Sequence, residues 1–203
     1  SAYEKGDVYT KEIEQLFDEQ KNIFLSDRFV KGECPACGAK EQYGDACEVC
    51  GKTYDALDLK NPYSTLSNSK PVVKKSKHYF FKLNNFKEFL TETVSEISNQ
   101  GPIKEKLKEW FDSGLKDWDI SRDEPYFGFK IPNEDSKYFY VWLDAPIGYL
   151  SSIKNWCNKN SSDFDDFINN SKIVHFIGKD IVYFHLLFWP ATLKAANFPI
   201  PNE

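Results

Sequence analysis

The sequence predicts a mixed α/β (α+β) chain in which a small metal-held ribbon precedes an α/β region. Three observations predict it: four of the five cysteines fall within 17 positions, apolar residues recur at helical spacing mid-chain, and an apolar segment near the end breaks at Gly178 before a helical pattern. With 203 residues, 41% hydrophobic and 16% aromatic, the chain has apolar material for one large domain or two small ones. No run reaches the ~18 apolar residues of a membrane span, and no charged-then-apolar leader pattern opens the chain. A soluble, cytoplasmic protein without a membrane partner is therefore expected. A net charge of -5 excludes a generic basic nucleic-acid binder, so DNA is not an expected partner and any RNA contact is local.

Residues 1–26 are polar with scattered apolar positions (Val8, Ile13, Leu16, Phe17, Phe24), which predicts only loose short strands. The chain opens Ser1-Ala2, contains no methionine and stops directly after an apolar segment. Both ends read as cuts in a longer protein. Residues 29–54 are rich in Cys, Gly, Asp and Lys and poor in aliphatics, so an ordinary core cannot hold them. Residues 60–76, with Asn61-Pro62 and Lys70-Pro71, read as a loop. Lys74, Lys75 and Lys77 form the one basic cluster, read as a solvated edge with an RNA-backbone contact as the alternative.

Residues 78–83 predict a strand. Asn84 or Asn85 then caps a helix whose apolar positions are Phe86, Phe89, Leu90, Val94 and Ile97. Gly101-Pro102 starts a second helix with Ile103, Leu107, Trp110 and Phe111 on one face, ending near Gly114. Both stripes read as core. Residues 126–131 and 137–143 predict an antiparallel hairpin. Residues 173–177 predict a strand leading into a helix over 180–196 that Pro190 bends or restarts, the layout of an α/β sheet edge where ligands meet strand ends.

Cys34-Pro35-Ala36-Cys37 and Cys47-Glu48-Val49-Cys50 are two Cys-x-x-Cys pairs separated by nine residues, each followed by glycine (Gly38, Gly51). Two such turns facing each other place four thiolates around one Zn²⁺ at about 2.3 Å. A redox pair or disulfide framework is the alternative, but neither pair opens a helix in a thioredoxin-like context. Four ligands leave no position for water, so one structural zinc is expected, and binding energies of roughly 10–16 kcal/mol let such a metal substitute for a core. Cys157 stands apart as a free, partly buried thiol.

The ordered blocks Phe29-Val30-Lys31-Gly32, the double knuckle, Asp119-Ile120-Ser121-Arg122, residues 138–149 (Tyr-Phe-Tyr-Val-Trp-Leu-Asp-Ala-Pro-Ile-Gly-Tyr) and residues 175–185 (His-Phe-Ile-Gly-Lys-Asp-Ile-Val-Tyr-Phe-His) closely resemble bacterial methionyl-tRNA synthetases. The match runs from about Phe24 to Phe198. These are class I enzymes whose Rossmann-type catalytic domain is split by a zinc-bearing connective insertion. The resemblance implies an internal fragment: residues 1–118 as insertion with the knuckle at 29–54, and residues 119–203 as part of the Rossmann-like catalytic domain with half of the methionine pocket. The family's two ATP-handling signatures, HIGH and KMSKS, do not occur in the sequence, so the fragment alone is expected to be inactive.

Carried over position by position, Trp142, Ala145, Pro146, Tyr149, Ile181 and His185 match the family's methionine-binding residues. The chemistry agrees, because aromatic faces and a hydroxyl suit a polarisable thioether, and one methylene gives a discrimination of only about 1–3 kcal/mol against homocysteine. Arg122 and Asp180 match positions associated with activation: the guanidinium steadies carboxylate or phosphate charge and Asp180 orients it. Lys179 is a further candidate for that region. The implied whole protein is a methionine–tRNA ligase with methionine, ATP with Mg²⁺, and tRNA(Met) as substrates. The competing expectation is a self-standing zinc-stabilised module that binds RNA or protein.

Overall fold

A computed structural model describes residues 2–97 and 101–202. Along the chain come β1 (Val8–Asp18), β2 (Ile23–Phe24), β3 (Val30–Glu33), β4 (Gln42–Tyr43), β5 (Lys60–Ser64) and β6 (Val72–Phe81). Then follow α1 (Lys87–Ile97), α2 (Gly101–Ser113), β7 (Trp118–Asp119), β8 (Ser121–Asp123), β9 (Lys137–Phe139), α3 (Val141–Asp144), α4 (Ile147–Lys159), α5 (Phe164–Asn169) and α6 (Trp189–Ala196). The mixed α/β class is as expected. The sheets are ordered β2-β1-β6-β7, β4-β3-β5 and β8-β9.

The chain divides into two compact units, one of residues 1–10, 79–121 and 139–203, the other of residues 11–78 and 122–138. The first unit has the larger core. Phe81, Leu83, Phe86, Leu90, Leu107, Trp118, Leu187 and Ala191 belong to one buried cluster, so the helical stripes of α1 and α2 are core as read. The expected core positions Val94 and Ile97 have side chains outside the described residues. Neither Asn84 nor Asn85 caps α1: a 3₁₀ turn over Leu83–Phe86 leads in without a side-chain cap, and the Asn85 amide donates to Asp7 instead.

The second unit has a small apolar core of Leu16, Leu25, Val30 and Leu59. It also buries polar groups. Lys137 Nζ is paired with Asp123 and donates to Ser76 Oγ at 2.5 Å, while His78 Nε2 lies 2.9 Å from Asp123 Oδ2 and 3.1 Å from Gln15 Oε1. Both of those oxygens accept, so Nε2 carries the proton.

Three elements differ from expectation. The N-terminal region forms one strand of 11 residues, β1, whose exposed middle carries Thr10, Lys11 and Glu12 and so shows no apolar alternation. Strand β6 begins at Val72 inside the expected loop, because its first half is a polar edge: Lys74 Nζ sits 3.8 Å from the Phe17 ring centre and 3.7 Å from Glu19. Of the expected pairing of 126–131 with 137–143, an isolated Lys130–Tyr138 bridge forms; β9 pairs instead with β8, upstream of the expected hairpin, and after Phe139 the chain turns into α3.

The C-terminal segment is extended over 173–177 without a ladder partner among the described residues, yet Ile173, His175 and Ile177 are half-buried while Val174 and Phe176 are exposed. That alternation is a strand's. The helical segment expected over 180–196 is present: a 3₁₀ turn at Lys179–Ile181 leads through π-helical Phe184–Phe188 into α6, which restarts the helix beside Pro190. Pro190 explains the restart, since it has no N–H for the Leu186 carbonyl, and the Trp189 N–H reaches back five residues to Phe184 O.

Candidate metal centre and aromatic pocket

In the second unit the two Cys-x-x-Cys turns are built alike. The Gly38 N–H donates to Cys34 O at 3.0 Å and the Gly51 N–H to Cys47 O at 2.8 Å. The Cys37 N–H points at Cys34 Sγ (3.5 Å) and the Cys50 N–H at Cys47 Sγ (3.4 Å). Gly38 and Gly51 hold φ of 75° and 71°, which residues with a Cβ adopt at a cost.

The turns bring all four sulfurs within 4.8 Å of one another. Cys34–Cys50 measures 3.8 Å and Cys37–Cys47 3.6 Å. Metal–thiolate bonds of about 2.3 Å in a regular tetrahedron put sulfurs about 3.8 Å apart, so the set fits one tetrahedral cation. Electrostatics points the same way. The Cys37 N–H draws the Cys34 thiol down to about 6. At Cys37 the Ala39 N–H acts downward, but burial and the thiols of Cys34, Cys47 and Cys50 outweigh it and push the group up to about 12. One thiolate forms readily and the next resists, which a central cation reverses. With Cys34 and Cys47 buried and all four positions filled by sulfur, the centre suits structure rather than catalysis.

In the first unit, the expected pocket residues come from α3, α4 and the turn before α6. Trp142 of α3 stacks on Phe184 with ring centres 4.8 Å apart and 18° between planes. Ala145 is exposed and Pro146 buried, at the entry to α4. Tyr149, in the first turn of α4, is 42% exposed. Its hydroxyl lies 3.1 Å from His185 Nε2.

His185 is buried and its orientation is fixed at both nitrogens. Nδ1 lies 3.1 Å from the Ile181 carbonyl, which can only accept. In the neutral ring Nδ1 therefore carries the proton, and Nε2 accepts from the Tyr149 O–H. Ile181 thus acts through its backbone as well as its half-buried side chain.

Four rings that sequence reading left without a role join them. Phe184 packs against Trp118 at 6.0 Å, and Trp118 stacks on Phe188 at 4.0 Å. His175 lies 5.0 Å from Tyr149 and 5.5 Å from His185. Burial, and then the neighbouring His185, lower its pKa. Phe184 adjoins His185 in the π-helical turn, so adjacency was its only sequence signal.

Asp180 and Lys179 are exposed in the 3₁₀ turn of the first unit. Arg122 sits on β8 in the second unit, half-buried. Its charge reaches Asp27, whose pKa burial, Asp45 and Asp55 raise and Arg122 lowers. Cys157 of α4 is a free thiol, fully buried. No helix among the described residues is long and apolar enough to cross a membrane.

A family model described as class I tRNA synthetases (M) matches residues 1–203. The methionine–tRNA ligase of Psychrobacter sp. (strain PRwf-1) is 56% identical over 217 residues, covering 98% of this chain and 31% of that protein. That of Psychrobacter cryohalolentis is 55% identical, covering 97% and 30%. The chain therefore spans about a third of the length of these curated relatives. Among solved structures, free methionyl-tRNA synthetase of Mycobacterium tuberculosis superposes with a TM-score of 0.62 at 20% identity, covering 99% of this chain and 36% of that one. The same synthetase in complex with methionyl-adenylate gives 0.62 at 20% identity, covering 98% and 34%. At that identity the likeness concerns the fold.

Proposed function

The chain belongs to the class I tRNA synthetase (M) family, and from that premise we propose that it is the part of a methionine–tRNA ligase that carries a structural zinc centre and half of the methionine pocket. Residues 1–118 are then the connective insertion and residues 119–203 a portion of the Rossmann-like catalytic domain. The observation that carries the pocket reading is the Tyr149–His185 hydrogen bond at 3.1 Å, in the same unit as the Trp142–Phe184 stack. The bond uses the phenol's one O–H, so the aromatic faces are what remain for a thioether, with Ala145, Pro146 and Ile181 as the apolar wall.

In the whole protein, a methionine carboxylate oxygen attacks the α-phosphorus of Mg²⁺-bound ATP. The bond to the bridging oxygen breaks, pyrophosphate leaves, and methionyl-adenylate forms. A tRNA(Met) 3′ hydroxyl then displaces AMP. Such phosphoryl chemistry rests on positioning and charge stabilisation, with no protein nucleophile. The Arg122 guanidinium supports anionic charge, and Asp180 and Lys179 contribute to the same reaction. Cys34, Cys37, Cys47 and Cys50, whose sulfurs lie within 4.8 Å of one another, would hold the zinc, which would stabilise the second unit, whose apolar core is small.

Methionine-dependent exchange of labelled pyrophosphate into ATP by the full-length protein tests this reading. Exchange with methionine, lost on Arg122→Ala, is expected. Exchange driven by another amino acid, or unaffected by Arg122→Ala, contradicts the assignment.

A further inference from the structure

Two buried side-chain atoms among the described residues have no hydrogen-bond partner, His175 Nε2 and Trp189 Nε1. Both rings contact Tyr149, His175 with centres 5.0 Å apart and Trp189 with centres 6.5 Å apart. A buried polar atom without a partner is rare in a folded chain, and both of these sit on rings packed against Tyr149. His175 also closes a triangle of rings. Its centre lies 5.5 Å from that of His185, and the Tyr149–His185 centres are 6.0 Å apart.

The extended 173–177 segment aims this side chain. Because alternate residues face opposite sides, His175 shares the half-buried side with Ile173 and Ile177 while Val174 and Phe176 face outward. The ring is therefore held by backbone geometry against Tyr149, and its contact with His185 limits rotation of the imidazole that the Ile181 carbonyl orients.

We propose that His175 is a positioning residue of the amino-acid pocket: its ring, packed on both Tyr149 and His185, fixes the pair that those two residues form. This rests on the pocket reading given above. The role is distinct from that of His185, whose two nitrogens are already engaged.

The test uses the full-length protein and equilibrium dialysis with methionine. His175→Ala removes the ring and should weaken methionine binding about tenfold while leaving ATP binding unchanged; His175→Phe keeps an aromatic ring and should stay within about threefold of the unmodified protein. Unchanged affinity in His175→Ala, or a loss in His175→Phe as large as in His175→Ala, overturns the positioning role. Histidine ¹⁵N spectra provide a readout independent of ligand: His175→Ala should loosen the fixed Nδ1–H tautomer of His185, and an unchanged His185 signal overturns the positioning role. If the unmodified protein binds no methionine, the pocket reading fails, and those spectra alone decide whether His175 positions the pair. Should either variant fail to fold, ¹⁵N shifts of His175 in the unmodified protein decide: movement on adding methionine supports the proposal, and none overturns it.

Discussion

Cys37 Sγ of the first turn and Cys47 Sγ of the second stand 3.6 Å apart, joined by no covalent bond. That spacing is close to the edge of a metal–thiolate tetrahedron, about 3.8 Å. The full-length protein should carry about one zinc per chain at this centre. Elemental analysis should show it lost in Cys47→Ser, and chelation should lower Tm. A metal-free protein of unchanged Tm contradicts the structural role.

The glycines that close the two turns should resist substitution for a backbone reason. At Gly38, φ is 75° and a Cβ would meet nothing within 4 Å, so the penalty is conformational rather than steric. Gly38→Ala should cost about 1–2 kcal/mol, and Gly38→Asn less, because asparagine tolerates the left-handed region. Thermal unfolding of the two variants ranks them.

Leu90 of α1 is 0% exposed within the first unit's core. Leu90→Ala should destabilise by about 2–5 kcal/mol through lost transfer energy and a residual cavity. Leu66, 38% exposed, should change stability by less than about 1 kcal/mol on the same substitution. Denaturant titration separates them.

Acid should expose the carboxylate at the end of β1. Burial acts to raise the pKa of Asp18, but the hydroxyls of Ser64 and Ser67 and the N–H groups of Lys21 and Gln20 overcome it, and the group falls from 3.8 to about 2. A lowered folded-state pKa means the stabilisation is complete above the unfolded value of 3.8 and is lost as pH falls through about 2. Asp123, lowered by His78, Lys137 and Ser76 against its own burial, acts in the same direction. Stability should therefore decline below about pH 4, and Asp18→Asn should flatten that decline. An unchanged slope in the variant contradicts the assignment.

The four-cysteine cluster was legible because two Cys-x-x-Cys turns spaced by nine residues have few other uses. Helices α1 and α2 were legible because their apolar residues recur at helical period, Phe86, Phe89 and Leu90 before Val94 and Ile97, then Ile103, Leu107, Trp110 and Phe111. Strand β1 was not, because exposure of Thr10, Lys11 and Glu12 removes the alternation that marks a half-buried strand. The π-helical turn escaped notice because Pro190 signals a break without saying how the Trp189 N–H is satisfied. Within the pocket, Tyr149 and His185 were named from resemblance alone, and spacing gives no hint that residues 36 positions apart share a hydrogen bond. His175 was quoted within the 175–185 block but given no role, since its contacts with Tyr149 and His185 depend on other elements. The interleaving of the two units likewise depends on which strands pair, which local pattern does not encode.

The methionine pocket is the central claim, and equilibrium dialysis of labelled methionine against the full-length protein tests it most directly when Trp142→Ala is measured beside the unmodified chain. One saturable site is predicted, weakened at least tenfold by Trp142→Ala because the face stacked on Phe184 is removed, with leucine a poor competitor. Equal binding by both proteins, or displacement by leucine as readily as by methionine, would contradict it.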